Sequence, residues 1–167
     1  MKSIYFRLAN SSDFERIYKW CQKDFVYEWF EQRKLSFEEI CKKYDKKINH
    51  SNQIVCIIEY GDIPIGLLQY YPYLENKDDF SNVYEYDIFI GEEEYLSKGI
   101  GSLVISSIND FLFNDLKVEK IVLRPMKKNI RACRCYEKCG FIKMCEYEDT
   151  DTVGNKEVFV LYEKEKK

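Results

Sequence analysis

A β-rich run, Val83 to Ile90, leads into Ser97-Lys98-Gly99-Ile100-Gly101, and apolar residues then recur at helical spacing: Ile100, Val104, Ile108, Phe111 and Leu112. A strand, a short glycine-containing loop and an amphipathic helix in direct succession call for a layered fold of sheet and helix. The junction also has chemistry of its own. Backbone N–H groups converge at a helix N-terminus, and the helix dipole adds partial positive charge, so the place suits an anion. Glycine serves there because a Cβ would keep the backbone away from a phosphate. A lone Gly-x-Gly is equally an ordinary turn before a helix. A second segment further on, Asn129-Ile-Arg-Ala132-Cys-Arg-Cys-Tyr136-Glu-Lys138-Cys-Gly140-Phe141, raises the phosphate reading.

The rest of the chain fills in the layers. Ile4 to Leu8 reads as a strand, and Ser12-Asp-Phe-Glu15 as a capping box opening a helix with Phe14, Ile17, Tyr18 and Cys21 on one face. Ser36-Phe-Glu-Glu39 repeats the signature before Ile40, Tyr44 and Ile48, with the aromatic segment Val26 to Phe30 in between. Ile54–Tyr60 and Ile65–Tyr71 form a predicted hairpin across Gly61-Asp-Ile-Pro64, and a polar loop from Pro72 to Asn82 precedes the Val83–Ile90 strand. Glu119–Leu123 is a strand and Ile130–Lys138 a helix with Gly140 as its C-cap. Strands near Phe141–Glu148 and Lys156–Tyr162 flank a turn with Asp149, Asp151 and Gly154. This order predicts a mixed sheet with helices on its faces, in the α/β to α+β range. No repeat, linker or low-complexity stretch interrupts it, so residues 1–167 are expected to form a single domain.

Composition narrows the function classes. With 46% apolar and 16% aromatic residues the chain is globular, and no apolar run approaches the roughly 20 residues of a membrane span. The N-terminus reads as a strand, which makes a cytoplasmic protein the expectation. A net charge of −3 gives no footprint for nucleic acid. Seven cysteines without a Cys-x-x-Cys, beside a single histidine (His50), argue for free thiols and against a metal site. Between Glu75 and Tyr95 there are eight acids (Glu75, Asp78, Asp79, Glu85, Asp87, Glu92, Glu93, Glu94) and one base, Lys77. Such a stretch is a solvated acidic rim or an attractor for a cationic ligand.

Taken together, the two motifs resemble those of the GNAT acetyltransferase superfamily. Gly99 and Gly101 match its Gln/Arg-x-x-Gly-x-Gly/Ala phosphate loop, with Leu96 in place of the Gln or Arg. Asn129, Ala132, Tyr136, Lys138, Gly140 and Phe141 match its downstream helix. The resemblance implies the GNAT acyl-CoA N-acyltransferase fold, a mixed, mainly antiparallel sheet flanked by helices. Further segments resemble bacterial aminoglycoside 6′-N-acetyltransferases: Trp20 with Glu28-Trp29, Tyr86-Asp87-Ile88-Phe89-Ile90-Gly91, Ser97 to Gly101, and Arg131 to Lys138. Two positions depart from that subgroup. Glu85 stands where a small residue is common, and Arg124 where an aspartate is usual.

The resemblance also assigns roles. Acetyl-CoA would lay its pyrophosphate on the amides of Ser97, Lys98, Gly99, Ile100, Gly101 and Ser102. Its pantetheine would follow Ile88, Phe89 and Ile90, whose backbone N–H would stabilise the oxyanion, and Asn129 would cap its helix and bond the cofactor. Asp87 would take the proton of the acceptor amine, or hold the ammonium by charge. An ordinary aspartate titrates near about 4 and is a weak base, so water or a raised pKa would have to help. Tyr136 would return a proton to the leaving thiolate. Trp20, Glu28, Trp29 and Glu85 are expected to line the acceptor site, with an aromatic core patch as the structural reading of the tryptophans. The expected function is acetyl-CoA-dependent acetylation of a small cationic amine, most specifically the 6′-amine of an aminoglycoside, which is antibiotic resistance. A polyamine, peptide N-terminus or siderophore precursor is the alternative acceptor, and a non-catalytic acyl-CoA sensor the alternative class. Oligomeric state, monomer or homodimer, is left open by the residues.

Overall fold

Seven strands form one sheet in the order β1-β2-β3-β4-β5-β7-β6 in the computed structural model, which describes residues 3–73 and 82–166. The strands are β1 (Ile4–Leu8), β2 (Ile54–Tyr60), β3 (Ile63–Pro72), β4 (Val83–Ile90), β5 (Lys120–Leu123), β6 (Ile142–Thr150) and β7 (Lys156–Glu165). The helices are α1 (Phe14–Cys21), α2 (Asp24–Phe30), α3 (Phe37–His50), α4 (Ile100–Asp110) and α5 (Ile130–Lys138). Antiparallel pairs β1/β2, β2/β3, β5/β7 and β6/β7 accompany a parallel pair β4/β5, so the sheet is mixed and mainly antiparallel as expected. The β4/β5 ladder runs from Val83↔Lys120 only to Glu85↔Val122, while β4 continues to Ile90. Glu75, Asp78 and Asp79 of the acidic stretch, and Lys77, lie outside the described residues.

The chain divides into two compact units. The first joins Met1–Tyr70 to Asp87–Leu96. Its core takes Ile17 and Trp20 from α1, Ile40 and Tyr44 from α3, Ile57 from β2 and Leu67 from β3. Each large apolar side chain buried there contributes about 1.5–3 kcal/mol. Helix α3 begins on the capping box expected: Ser36 Oγ accepts from Glu39 N–H at 3.2 Å and Glu39 Oε2 from Ser36 N–H at 2.7 Å. The box expected at Ser12 is instead formed by Asn10 and Asp13, around a short 3-10 turn. Arg7 explains the shift, because it holds the buried Asp13 carboxylate in two hydrogen bonds of 3.0 and 2.8 Å and so places that residue at the turn's third position. The segment Val26 to Phe30 is helical, within α2. Strand β3 starts two residues earlier than the pattern predicts, with Pro64 opposite Glu59 at a register slip where no ladder N–H is needed.

The second unit joins Tyr71–Tyr86 to Ser97–Lys167. Val104, Ile105 and Ile108 of α4 are buried, and the helix ends in a five-residue π turn, Phe111–Asp115. That wider turn buries Leu112 and leaves Phe111 half-exposed, so the two do not continue the α spacing. Gly140 follows α5 at φ +86°, in the left-handed region that favours glycine at this position. Asp151 accepts from Val153 and Asn155 N–H at 3.0 and 2.8 Å, which makes it a turn residue of the β6/β7 hairpin.

Candidate active site

In the second unit, the loop that leads into α4 carries two left-handed residues. Ser97 has φ +59° and Gly99 φ +78°, left-handed conformations placed two residues apart. Gly99 is the N-cap of α4 and provides no side-chain cap, so the first amides of the helix are left unpartnered among the described residues. A Cβ built on Gly99 would meet nothing within 4 Å, so what requires glycine there is the backbone angle. Unpartnered amides at a helix N-terminus suit an anion such as the pyrophosphate of a coenzyme A thioester, whose charge the dipole favours. Gly101 and Ser102 lie beside α5, with Ser102 Oγ 3.5 Å from Cys135 Sγ.

Helix α5 also carries the two other residues expected at the donor side. Asn129 Oδ1 accepts from Ala132 N–H at 3.2 Å, so it caps the helix. The Tyr136 ring is buried, 5.9 Å from Phe141 and 6.3 Å from Tyr162 between ring centroids. Glu85, also in this unit, is buried and engaged twice by Arg124, at 2.9 Å from Nε and 2.7 Å from Nη2. The guanidinium lies 5.3 Å from the centre of the Tyr73 ring. Its hydrogen bonds to Glu85 hold Arg124 protonated well above the ordinary arginine range, against the opposing effect of burial. The unusual arginine and the unusual glutamate are thus one ion pair.

In the first unit, Asp87 sits half-buried on β4. Gln69 of β3 donates from Nε2 to Asp87 Oδ2 at 2.9 Å, and Lys47 of α3 donates to Gln69 Oε1 at 2.6 Å. Burial first, and then the charge of Lys43, push the Lys47 ammonium down to about 8, while Asp87, Glu31 and Cys21 pull it back up. Lys43 is itself paired to the buried Glu31 at 2.6 Å. The end of β4 is tightly fitted. A Cβ on Gly66 would come within 2.1 Å of the Phe89 carbonyl oxygen, and one on Gly91 within 2.3 Å of the Trp20 ring.

Trp20 is 1% exposed, and its indole N–H donates to Glu92 Oε1 at 2.7 Å. Its place is therefore the packing beneath β4. Trp29 is half-buried on α2, and Glu28 is exposed with no hydrogen bond or ion pair among the described residues. Ile88, Phe89 and Ile90 close β4, where the Phe89 ring packs 4.8 Å from Phe30 and 6.0 Å from Trp20. Sequence reasoning missed Gln69 and Lys47. Both left a signal: Gln69 is the one amide side chain inside the β-rich run Ile65–Tyr71, and Lys47 falls on the helical face of Ile40 and Tyr44.

The family model described as an acetyltransferase (GNAT) domain matches residues 9–148. The chain belongs to the GNAT acetyltransferase family. As a GNAT protein it is an acetyl-CoA-dependent N-acetyltransferase, and its sheet and helices are those of the GNAT fold. It is 28% identical over 148 residues to the aminoglycoside N(6′)-acetyltransferase type 1 of Klebsiella pneumoniae, covering 83% of this chain and 74% of that protein. It is 29% identical over 116 residues to the spermidine N(1)-acetyltransferase of Vibrio cholerae, covering 69% and 64%. Among solved structures, the aminoglycoside acetyltransferase AAC(6′)-Ib in complex with coenzyme A and kanamycin superposes with a TM-score of 0.83 at 26% identity, covering 98% of this chain and 95% of that one. No helix among the described residues is long and apolar enough to cross a membrane. No group of three His, Cys, Asp or Glu side chains among them is arranged to hold a metal ion.

Proposed function

We propose that this GNAT enzyme acetylates a primary amine of a small polycationic molecule, specifically the 6′-amine of an aminoglycoside. The observation that carries this reading is Asp87, held by Gln69 at 2.9 Å on the strand that resembles the aspartate-bearing strand of the aminoglycoside enzymes. Similarity to an aminoglycoside N(6′)-acetyltransferase over 83% of the chain supports it. In this reading the amides from Ser97 to Ser102 take the pyrophosphate of acetyl-CoA, with Asn129 nearby on α5. The backbone of Ile88 to Ile90 follows the pantetheine, and an N–H of that strand stabilises the developing oxyanion. Asp87 receives the proton of the acceptor ammonium directly or through water. The amine nitrogen then bonds to the acetyl carbon, the carbon–sulfur bond breaks, Tyr136 protonates the departing thiolate, and the proton shed by the nitrogen as the amide forms restores the phenol through water.

On the acceptor side, Glu28 is an exposed carboxylate with no side-chain partner among the described residues, and Trp29 the aromatic face that meets a sugar ring. Glu85 is engaged by Arg124 and acts as its counter-ion, while Trp20 supports β4 from beneath. A second reading, acetylation of a polyamine, is favoured by the similarity to a spermidine N(1)-acetyltransferase over 69% of the chain. A cytoplasmic setting fits both readings, since acetyl-CoA is an intracellular donor.

An amine panel separates the two. Acetyl-CoA-dependent thiol release is measured with kanamycin, tobramycin, their 6′-hydroxy counterparts and spermidine, on wild type and on Asp87→Ala. Release with kanamycin and tobramycin but not with the 6′-hydroxy compounds supports the first reading, and release with spermidine alone moves the assignment to the second. Coenzyme A binding without turnover of any amine makes the chain a sensor. Full turnover by Asp87→Ala removes the role given to that residue.

A further inference from the structure

We propose that Lys47 is a positioning residue for Asp87, its ammonium acting through the side-chain amide of Gln69 to orient the carboxylate toward the acceptor amine. The inference rests on the reading of Asp87 given above. Three elements of the first unit meet in this relay: Lys47 on α3, Gln69 on β3 and Asp87 on β4. The two hydrogen bonds measure 2.6 and 2.9 Å, and the glutamine between them is 5% exposed.

The direction of the relay follows from donor chemistry. The two ends of a glutamine amide have nearly the same shape, so packing alone does not choose between its two orientations. An ammonium has donors and no acceptor, so Gln69 Oε1 must face Lys47 and Nε2 must face Asp87. Turning the amide over would set an NH2 against an NH3⁺ and a carbonyl oxygen against a carboxylate. Lys47 therefore decides which end of Gln69 meets Asp87.

Lys47 sits among other charged and titratable groups. Glu31, following α2, is paired with Lys43 of α3, which repels Lys47. Cys21 of α1 and Tyr44 of α3 lie against it, the Tyr44 ring 5.5 Å from its nitrogen. A half-buried ammonium beside another ammonium is unfavourable for folding, and the relay gives it a use. Below about 8 the ammonium is charged and the amide is fixed, and as pH rises through that value the proton is lost and with it the constraint.

The test uses the full chain. Lysine labelled at 13Cε is followed by NMR through a pH titration, with the Lys47 resonance assigned by its absence in Lys47→Met. The expected midpoint lies near 8, and it falls in Asp87→Asn because a stabilising anion has gone. Kinetics with kanamycin and with spermidine accompany it. Lys47→Met and Gln69→Leu should each lower kcat about tenfold and leave KM for acetyl-CoA unchanged. Each should also remove the inflection near 8 from the pH profile, and neither should add to the loss in Asp87→Asn. Melting temperature and coenzyme A affinity check folding, and the NMR comparison of wild type with Asp87→Asn stands even if one variant folds badly. A Lys47 midpoint near the ordinary value of about 10.4, or one indifferent to Asp87→Asn, overturns the proposal. So does wild-type kcat in Lys47→Met, or a full tenfold loss when it is combined with Asp87→Asn. If Asp87→Asn itself keeps wild-type turnover, or neither amine is acetylated, the reading of Asp87 fails instead, while the NMR pair still decides whether the relay exists.

Discussion

Arg124 is the residue whose meaning changed most between sequence and structure. Read alone, a cation where relatives carry an aspartate repels a polycationic substrate. Read with its partner, it neutralises Glu85, the one other acid on the Asp87 side of β4, and the two departures from the family pattern cancel. The pair was illegible in the sequence because 39 residues separate its members, and no periodicity links a strand residue to one beyond the end of another strand. The expected consequence is asymmetric. Arg124→Leu takes the guanidinium away from a buried carboxylate and should cost about 2–3 kcal/mol in denaturant unfolding, less than for a fully buried pair because the arginine is partly solvated. Glu85→Leu in the Arg124→Leu background should recover most of that loss. A double variant as unstable as the single one would show that the pair does not act as a unit.

At the scale of elements, boundaries were legible wherever local chemistry sets them. The capping box at Ser36 and the glycine after α5 were readable because each is satisfied within a few residues. The start of α1 was not, because Arg7, on the strand before it, recruits Asp13. The π turn after α4 was not either, since apolar residues such as Phe111 and Leu112 fit more than one helical pitch. The close approach of β3 to β4 is an element-level property carried by one glycine. Gly66→Ala would set a methyl 2.1 Å from the Phe89 carbonyl oxygen, a backbone atom that cannot swing aside. We expect a loss of roughly 2 kcal/mol or more in thermal or denaturant unfolding, on the scale of overpacking. Because Asp87 lies two residues from the displaced carbonyl, acetylation should fall further than stability does. Unchanged melting would mean that the two strands part more readily than their packing indicates.

For the molecule as a whole, the layered fold was legible because strand and helix patterns alternate cleanly along 167 residues. The Lys47–Gln69–Asp87 relay was less so, since its members come from three separate stretches and only the last belongs to a motif. The seven thiols provide a test that spans the whole chain. Cys145 is exposed, Cys41, Cys135 and Cys139 are half-buried, and Cys21, Cys56 and Cys133 are buried. Burial pushes the Cys21 thiol up to about 12 and Cys56 up to about 11, so neither ionises near neutral pH. Ellman titration of the native protein should thus show one fast thiol, three slower ones and three that appear only on unfolding. Seven reacting at a single rate would deny the closed interior.

The same pattern makes one sulfur useful. Cys135 stands 3.5 Å from the hydroxyl of Ser102, directly behind the amides that begin α4. With Cys41, Cys139 and Cys145 changed to serine, an environment-sensitive dye attached at Cys135 becomes an optical gauge of whether that loop is filled, in a protein whose donor can be watched before its acceptor is known.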